Sequence, residues 1–193
     1  ADADVVVLIS PARPLEPEEV AGLAAYTDAG GALFIARDVV SDETRVLAEE
    51  DGLAAYLQES WGVGFRPDLI VDAEQAQLSQ SLAFVAQDFG QSVIVSADLR
   101  EFLMLFDIAR SVSLTPLEGV VQTEWVRSSP QAWGETDFEL ADTQFDEGVD
   151  TAGPLVIAAS LENNVTGSRL VVVGDGDFII NNNAFSGGNS VFF

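Results

Sequence analysis

Hydrophobic positions in this chain come in short continuous blocks divided by polar, turn-forming segments. The stretch DVVVLIS (residues 4–10) is an apolar run of strand length, the pattern of a strand buried on both faces. In PARPLEPEE, which follows, Pro17 suits a first helical turn, and Glu18 and Glu19 meet the positive end of the helix dipole. Val20, Leu23, Ala24 and Thr27 then keep helical spacing until Gly30 and Gly31, where glycine tolerates the left-handed cap that ends a helix. ALFIARD (32–38) is a second buried strand. Two strands joined through one short helix predict a parallel βαβ unit with a right-handed crossover.

Further along, a helix is expected over 51–60, ending at Gly62, and a short strand at DLIVD (68–72). The segment SVIVSADLREFLMLFDIARSVSL mixes strand-like and helix-like spacing and predicts no clean boundaries. GVVQTEWVRSS (119–129) alternates more, as a strand towards a sheet edge does, and a polar, turn-rich excursion follows it. PLVIAAS (154–160) and RLVVVGD (169–175) are two more apolar strands joined by LENNVTG. With no internal repeat and no low-complexity linker, residues 1–193 read as one α/β domain with an inserted, partly β middle.

Composition narrows the chemistry more than the class. The 193 residues hold 48% hydrophobic side chains, enough for a sizeable core. Acidic residues outnumber basic ones 32 to 8, for a net charge of -24, so phosphate backbones and anionic lipid surfaces are repelled and nucleic acid is not an expected partner. All the basic residues are arginine; the chain has no His, Cys or Lys. Ser-His-Asp and Cys-His triads, Cys/His zinc sites, Schiff bases and Walker A loops are therefore excluded within this stretch. Any catalysis would rest on carboxylates, hydroxyls, arginine or a hard metal ion. No apolar run reaches the roughly 20 residues that span a bilayer. The beginning ADADVVV and the end SVFF read as cuts in a longer protein.

Several blocks carry a family resemblance. DADVVVLISPARPLEPEEVAGLAAYTDAGGALFIARD sets out a strand, a Pro-bearing loop (Pro11, Pro14), an acidic helix start, a Gly-Gly stop and a strand ending near Asp38. WGVGF, DLIVD, ARSVSL and VRSSPQAWGETDF follow in order, with a Ser-Pro-x-x-Trp element at Ser129, Pro130 and Trp133. SRLVVVGDGDFIINNNAFSGGNSVFF closes the chain with a strand, a Gly-Asp-x-Asp-Phe turn and Gly-Asn before an apolar element. Together these resemble the extracytoplasmic domain of gliding-motility GldG-like proteins, an uncharacterised ABC-transporter auxiliary family. The resemblance implies a flavodoxin-like fold of the class I glutamine-amidotransferase type, a mostly parallel sheet flanked by helices. It also implies a membrane-anchored location outside the cytoplasm and the membrane and ATPase subunits of an ABC transporter as partners. The amidotransferase chemistry does not carry over, because its cysteine nucleophile and histidine are missing.

The turn GDGDF at the end of RLVVVGD is the most suggestive local feature. It fails as a dinucleotide fingerprint because Ile179 stands where the third glycine belongs, and as a calcium loop because Phe178 and Ile179 displace later ligands. Glycines that permit a tight turn, with Asp and Asn satisfying local donors, explain it without a ligand. Parallel sheets, however, bind ligands beyond the carboxyl ends of their strands. Those ends carry Ser10 and Arg13, then Arg37 and Asp38, then Asp175, Asp177 and Asn181, which together could line a crevice for a small polar ligand or a partner's loop. The competing explanation is that Arg37 simply pairs with a carboxylate at the rim of the sheet. Trp133, between Pro130 and Gly134 in a polar segment, is the tryptophan expected to be exposed and to touch a partner.

Other motifs point to less. VDTAGP resembles an aspartic-protease loop without the second copy that chemistry needs, and NVT at Asn164 is a sequon only in a secretory eukaryotic setting. The expectation is thus a non-enzymatic binding or scaffolding domain with no cofactor and no metal site. Two alternatives stay open: a carboxylate-dependent or metal-assisted hydrolase using Asp38, Asp175 and Asp177, and an oligosaccharide-binding module built around Trp133.

Overall fold

A computed structural model describes residues 3–39, 52–73, 75, 83–86, 88–90, 103–137, 144–179, 183–185 and 188–192. The chain opens with strand β1 (Val5–Ile9), helix α1 (Pro17–Asp28) and strand β2 (Ala32–Ala36). Helix α2 (Gly52–Trp61) precedes six short strands: β3 (Val63–Phe65), β4 (Leu69–Val71), β5 (Phe84–Ala86), β6 (Asp88–Phe89), β7 (Met104–Phe106) and β8 (Val112–Leu114). The long β9 (Val120–Arg127) is followed by β10 (Trp133–Glu135), β11 (Thr151–Ala152), β12 (Val156–Asn163) and β13 (Arg169–Val173).

The first unit forms as its pattern requires. Pro17 occupies the start of α1, Glu18 and Glu19 lie in its first turn, and Gly30 follows its end at φ 89°. β1 and β2 run parallel, in register from Val5↔Ala32 to Ile9↔Ala36, and β13 joins β2 in parallel on its other side. In α2, Leu53, Leu57 and Trp61 recur at helical spacing and are buried. Thr27 of α1 and Tyr56 of α2 share a 2.6 Å hydroxyl contact, and Trp61 Nε1 donates to the same Tyr56 hydroxyl at 3.1 Å. That chain of polar contacts joins the two helices beneath the sheet.

The rest of the sheet corrects the expected fold class. A six-stranded sheet runs in the order β1-β2-β13-β12-β9-β6, and every pairing from β13 outward is antiparallel. Among the described residues three smaller sheets, all antiparallel, are built from β11-β10-β4, β3-β8 and β5-β7. The architecture is thus mostly β and mixed, not a flavodoxin-like parallel sheet. The physical reason lies in the connection between β12 and β13: residues 164–168 make a tight turn, whereas a parallel return needs a crossover of roughly a dozen residues. The strand expected at 68–72 also leaves the main sheet, since β4 pairs with β10 instead.

Two apolar layers result. On one face Leu33, Ile35, Leu170, Val172, Ala159 and Leu161 pack with Leu53, Leu57 and Trp61 of α2. On the other, Ala36, Val173, Ile157 and Ala158 pack with Phe84, Met104, Phe106 and Phe178. Register shifts in the β9–β12 pair near Ala158 put Trp125 and Val126, like Ile157 and Ala158, into the same layer, as bulges do. β1 departs from its expected double burial. As the outermost strand of the sheet it keeps Val6 and Leu8 against the helical layer, while Val5, Val7 and Ile9 are exposed.

Candidate functional site: a buried polar cluster at the strand ends

The carboxyl ends of β1, β2 and β13 meet. Ser10 leaves β1 at φ 35°, its N–H donating to the Ala36 carbonyl at 2.9 Å. That left-handed turn places Ser10 Oγ where it accepts the Asp38 N–H at 3.1 Å. The Asp38 carboxylate in turn accepts the Gly176 N–H. Gly176 is required for this approach, because a Cβ there would run into Ser10 Oγ and lie 3.1 Å from the Asp38 carboxylate. The Arg37 N–H donates to the Val173 carbonyl at 3.0 Å, continuing the β2–β13 pairing to the rim.

Asp175 stands at the centre with no exposed surface. Its Oδ1 accepts the N–H of Asp177 at 2.6 Å and of Phe178 at 3.1 Å, starting the 3-10 turn Asp177–Ile179. Its Oδ2 accepts the Asp107 N–H at 2.9 Å, tying the turn to the segment after β7. Burial pushes this carboxyl well above the usual carboxylate range, and the neighbouring charge of Asp38 adds to the rise, while the backbone donors oppose it. Asn189, also buried, donates to the carbonyls of Leu105 and Phe178 and accepts the Leu105 N–H at 3.0 Å, which clamps the same turn from the other side.

Arg110 supplies the cluster's cation. Its guanidinium donates to three backbone carbonyls: Arg66 at 2.7 Å, Phe65 at 3.0 Å and Asp38 at 3.2 Å. Its own backbone N–H reaches the Gly174 carbonyl at 2.7 Å. Burial and then the like charge of Arg37 pull it down to about 10, with Asp68 and Asp38 partly offsetting them. Arg37 and Arg110 both lie over the Phe65 ring, at 5.9 and 5.8 Å from its centroid.

Of the residues singled out from the sequence, Ser10, Asp38, Asp175 and Asp177 are joined through this network, and Arg37 borders it. Arg13 stands apart, with both guanidinium nitrogens donating to Glu19 at 2.9 Å beside a groove lined by Leu8, Pro11, Leu15 and Leu23. Asn181 lies outside the described residues. The exposure expected of Trp133 is corrected: it is 7% exposed, because its strand β10 sits between β4 and β11, and its indole N–H donates to the Glu135 carboxylate at 3.2 Å. Arg110, Asp107 and Asn189 escaped the sequence reading. Arg110 fell in the mixed segment, and Asp107 contributes only its backbone. The Gly-Asn pairing at Asn189 was visible only as family resemblance.

Chemically the arrangement is a lock. The Asp175 oxygens are occupied by backbone donors and sealed from solvent, Ser10 Oγ accepts a backbone N–H, and Arg110 is held by carbonyls. Among the described residues, no group of three or more acidic side chains is placed to hold a metal ion.

A family model described as an ABC-type uncharacterized transport system matches residues 1–192. No curated protein matches. Among solved structures, one titled mmIFT52 N-terminal domain aligns over 98% of this chain and 73% of its own, with a TM-score of 0.66 at 15% identity. The shared mixed-sheet fold, and not a flavodoxin-like one, is what that similarity establishes.

Proposed function

This chain belongs to the family of the ABC-type uncharacterized transport system, and from that membership we propose that it is a non-enzymatic binding or scaffolding domain of such a system. It works on the outer side of the membrane, held there by segments beyond this stretch, next to the membrane and ATPase subunits of the transporter. Among the described residues, no helix is long and apolar enough to cross a membrane. A charge of -24 suits an aqueous compartment and disfavours direct contact with anionic lipid. The GldG-like resemblance makes a gliding-motility system one such setting, beside other ABC-type transport.

One observation carries the reading. Both oxygens of Asp175, the Ser10 hydroxyl and one oxygen of Asp38 are taken up by backbone N–H groups. Asp175 has the raised carboxyl of a general acid, yet it is fully buried and bonded to three N–H groups, so no substrate atom can reach it. The test is an assay of the purified domain against ester, amide and glycoside substrates, with and without added divalent cations. Rates should equal the blank. Turnover abolished by Asp38→Asn or Ser10→Ala would overturn the proposal.

A further inference from the structure

Natural sheets protect their outer strands by keeping them short, by placing charges or proline on them, or by bulging them. In the six-stranded sheet, one outer strand follows that rule: β6 comprises only Asp88–Phe89. The other does not. β1 is five residues of Val, Leu and Ile, without charge or proline, paired to β2 in unbroken register. Among the described residues β2 is its sole strand neighbour, so the N–H and C=O groups along its far side have no ladder partner.

The side chains point the same way. Val5, Val7 and Ile9 are 50%, 44% and 41% exposed and form an alternating stripe on one face. Phe34 and Ala36, the register partners of Val7 and Ile9, belong to the layer with Phe84 and Phe106, so that layer covers β2 and stops short of β1. An extended chain laid along β1 would continue both the hydrogen-bond ladder and the apolar layer.

Charge selects the occupant. The strand is preceded by exposed Asp4, Glu16, Glu18 and Glu19 cluster at the start of α1, and nearby Arg13 is paired with Glu19. A second copy of this chain would bring -24 against -24. We propose that β1 is a docking edge that takes up an extended partner segment with alternating apolar residues and Lys or Arg at its ends, by strand addition. This deepens the binding reading above and rests on it only for the partner's membership in the transport system.

The test uses the whole chain and a nine-residue peptide of alternating valine and threonine with two lysines at each end. Its scrambled and glutamate-flanked versions serve as controls. Anisotropy titrations should show saturable binding by the lysine-flanked peptide, weakened at least tenfold by glutamate flanks and by Val7→Lys, and reduced by salt. Val121→Lys, at a 52% exposed site on β9, should bind as wild type does. If Val7→Lys fails to fold, amide exchange of the wild-type chain decides, with peptide-induced protection expected at 5–9. Equal binding of all peptides, protection elsewhere, or a wild-type dimer that Val7→Lys dissolves would overturn the proposal. Enzymatic turnover would overturn the non-enzymatic reading alone and leave this result interpretable.

Discussion

Asp175 and Glu19 do similar work in unlike surroundings. Each accepts a backbone N–H at the start of a helical turn: Asp175 from Asp177 and Phe178, Glu19 from Glu16 at 2.8 Å. Their carboxyls nevertheless move in opposite directions. Burial carries Asp175 well above the ordinary range, whereas the Arg13 guanidinium and the Glu16 N–H lower exposed Glu19 to about 2. Backbone hydrogen bonds favour the charged form in both places, but at Asp175 burial, with the charge of Asp38 added to it, outweighs them. A polar cluster inside a sheet's rim is therefore structural in a way that a surface ion pair is not.

The largest effect that could break this contrast is Asp175→Ala. It leaves the buried N–H of Phe178 and the partly buried N–H groups of Asp107 and Asp177 without their acceptor, and should cost about 3–5 kcal/mol in urea unfolding. Asp175→Asn keeps one acceptor oxygen and should cost less, about 1–3 kcal/mol. The two also differ from wild type in pH dependence. A carboxyl raised in the folded state binds its proton more tightly there than in the unfolded chain. Its contribution is complete below the unfolded value of about 3.9 and fades as pH rises through the folded one. The difference in stability between wild type and Asp175→Asn should accordingly shrink as pH is raised from 4. A difference that grows with pH would mean that the buried carboxylate is favoured as an anion.

The same contrast explains which parts of the molecule were legible beforehand. β1, α1 and β2 are specified by contiguous residues, and Pro17, Gly30 and Gly31 mark the boundaries directly. The meeting of Ser10, Asp38 and Asp175 followed from a general property of parallel strand ends, and β1, β2 and β13 are indeed the parallel portion of the sheet. The antiparallel half was misassigned although the short link over 164–168 held the information, because the apolar runs of β12 and β13 look alike in either direction. Burial of β1 was misjudged for a related reason: an apolar run does not reveal whether a second neighbour exists. Arg110 and Asn189 act on backbone carbonyls far along the chain, and no local spacing encodes such partners. Trp133 was placed in a polar context by its neighbours in sequence, while its pairing with Val71 across strands sets its burial.

Two glycines sharpen the comparison at intermediate scale. A Cβ on Gly174 would overlap the backbone carbonyl of Arg110, which cannot rotate away, whereas one on Gly22 in α1 would meet nothing within 4 Å. Gly174→Ala should destabilise by about 2–3 kcal/mol as the β13 end is forced from the Arg110 segment. Gly22→Ala should stabilise by about 0.5–1 kcal/mol, since alanine narrows the unfolded ensemble and suits a helix interior. Paired unfolding curves check both. Equal effects would mean that the strand-end cluster has slack like that of the helix surface.

The smallest effect belongs to the exposed pair. Arg13→Ala removes the guanidinium hydrogen bonds that do most to lower Glu19, so the Glu19 carboxyl, followed by NMR, should titrate closer to the ordinary glutamate range instead of near 2. By linkage, a depressed carboxyl contributes stability above its unfolded value and loses it as pH falls towards 2. Here both side chains stand in water, at 60% and 46% exposure, so solvent and salt screen the pair and the cost of ordering two flexible side chains offsets its attraction. The unfolding midpoint at neutral pH should therefore stay with wild type even as the titration moves. A clear loss of stability in Arg13→Ala, persisting at high salt, would show that the bidentate contact anchors the loop before α1 by packing, and would place this corner beside the buried cluster in structural weight.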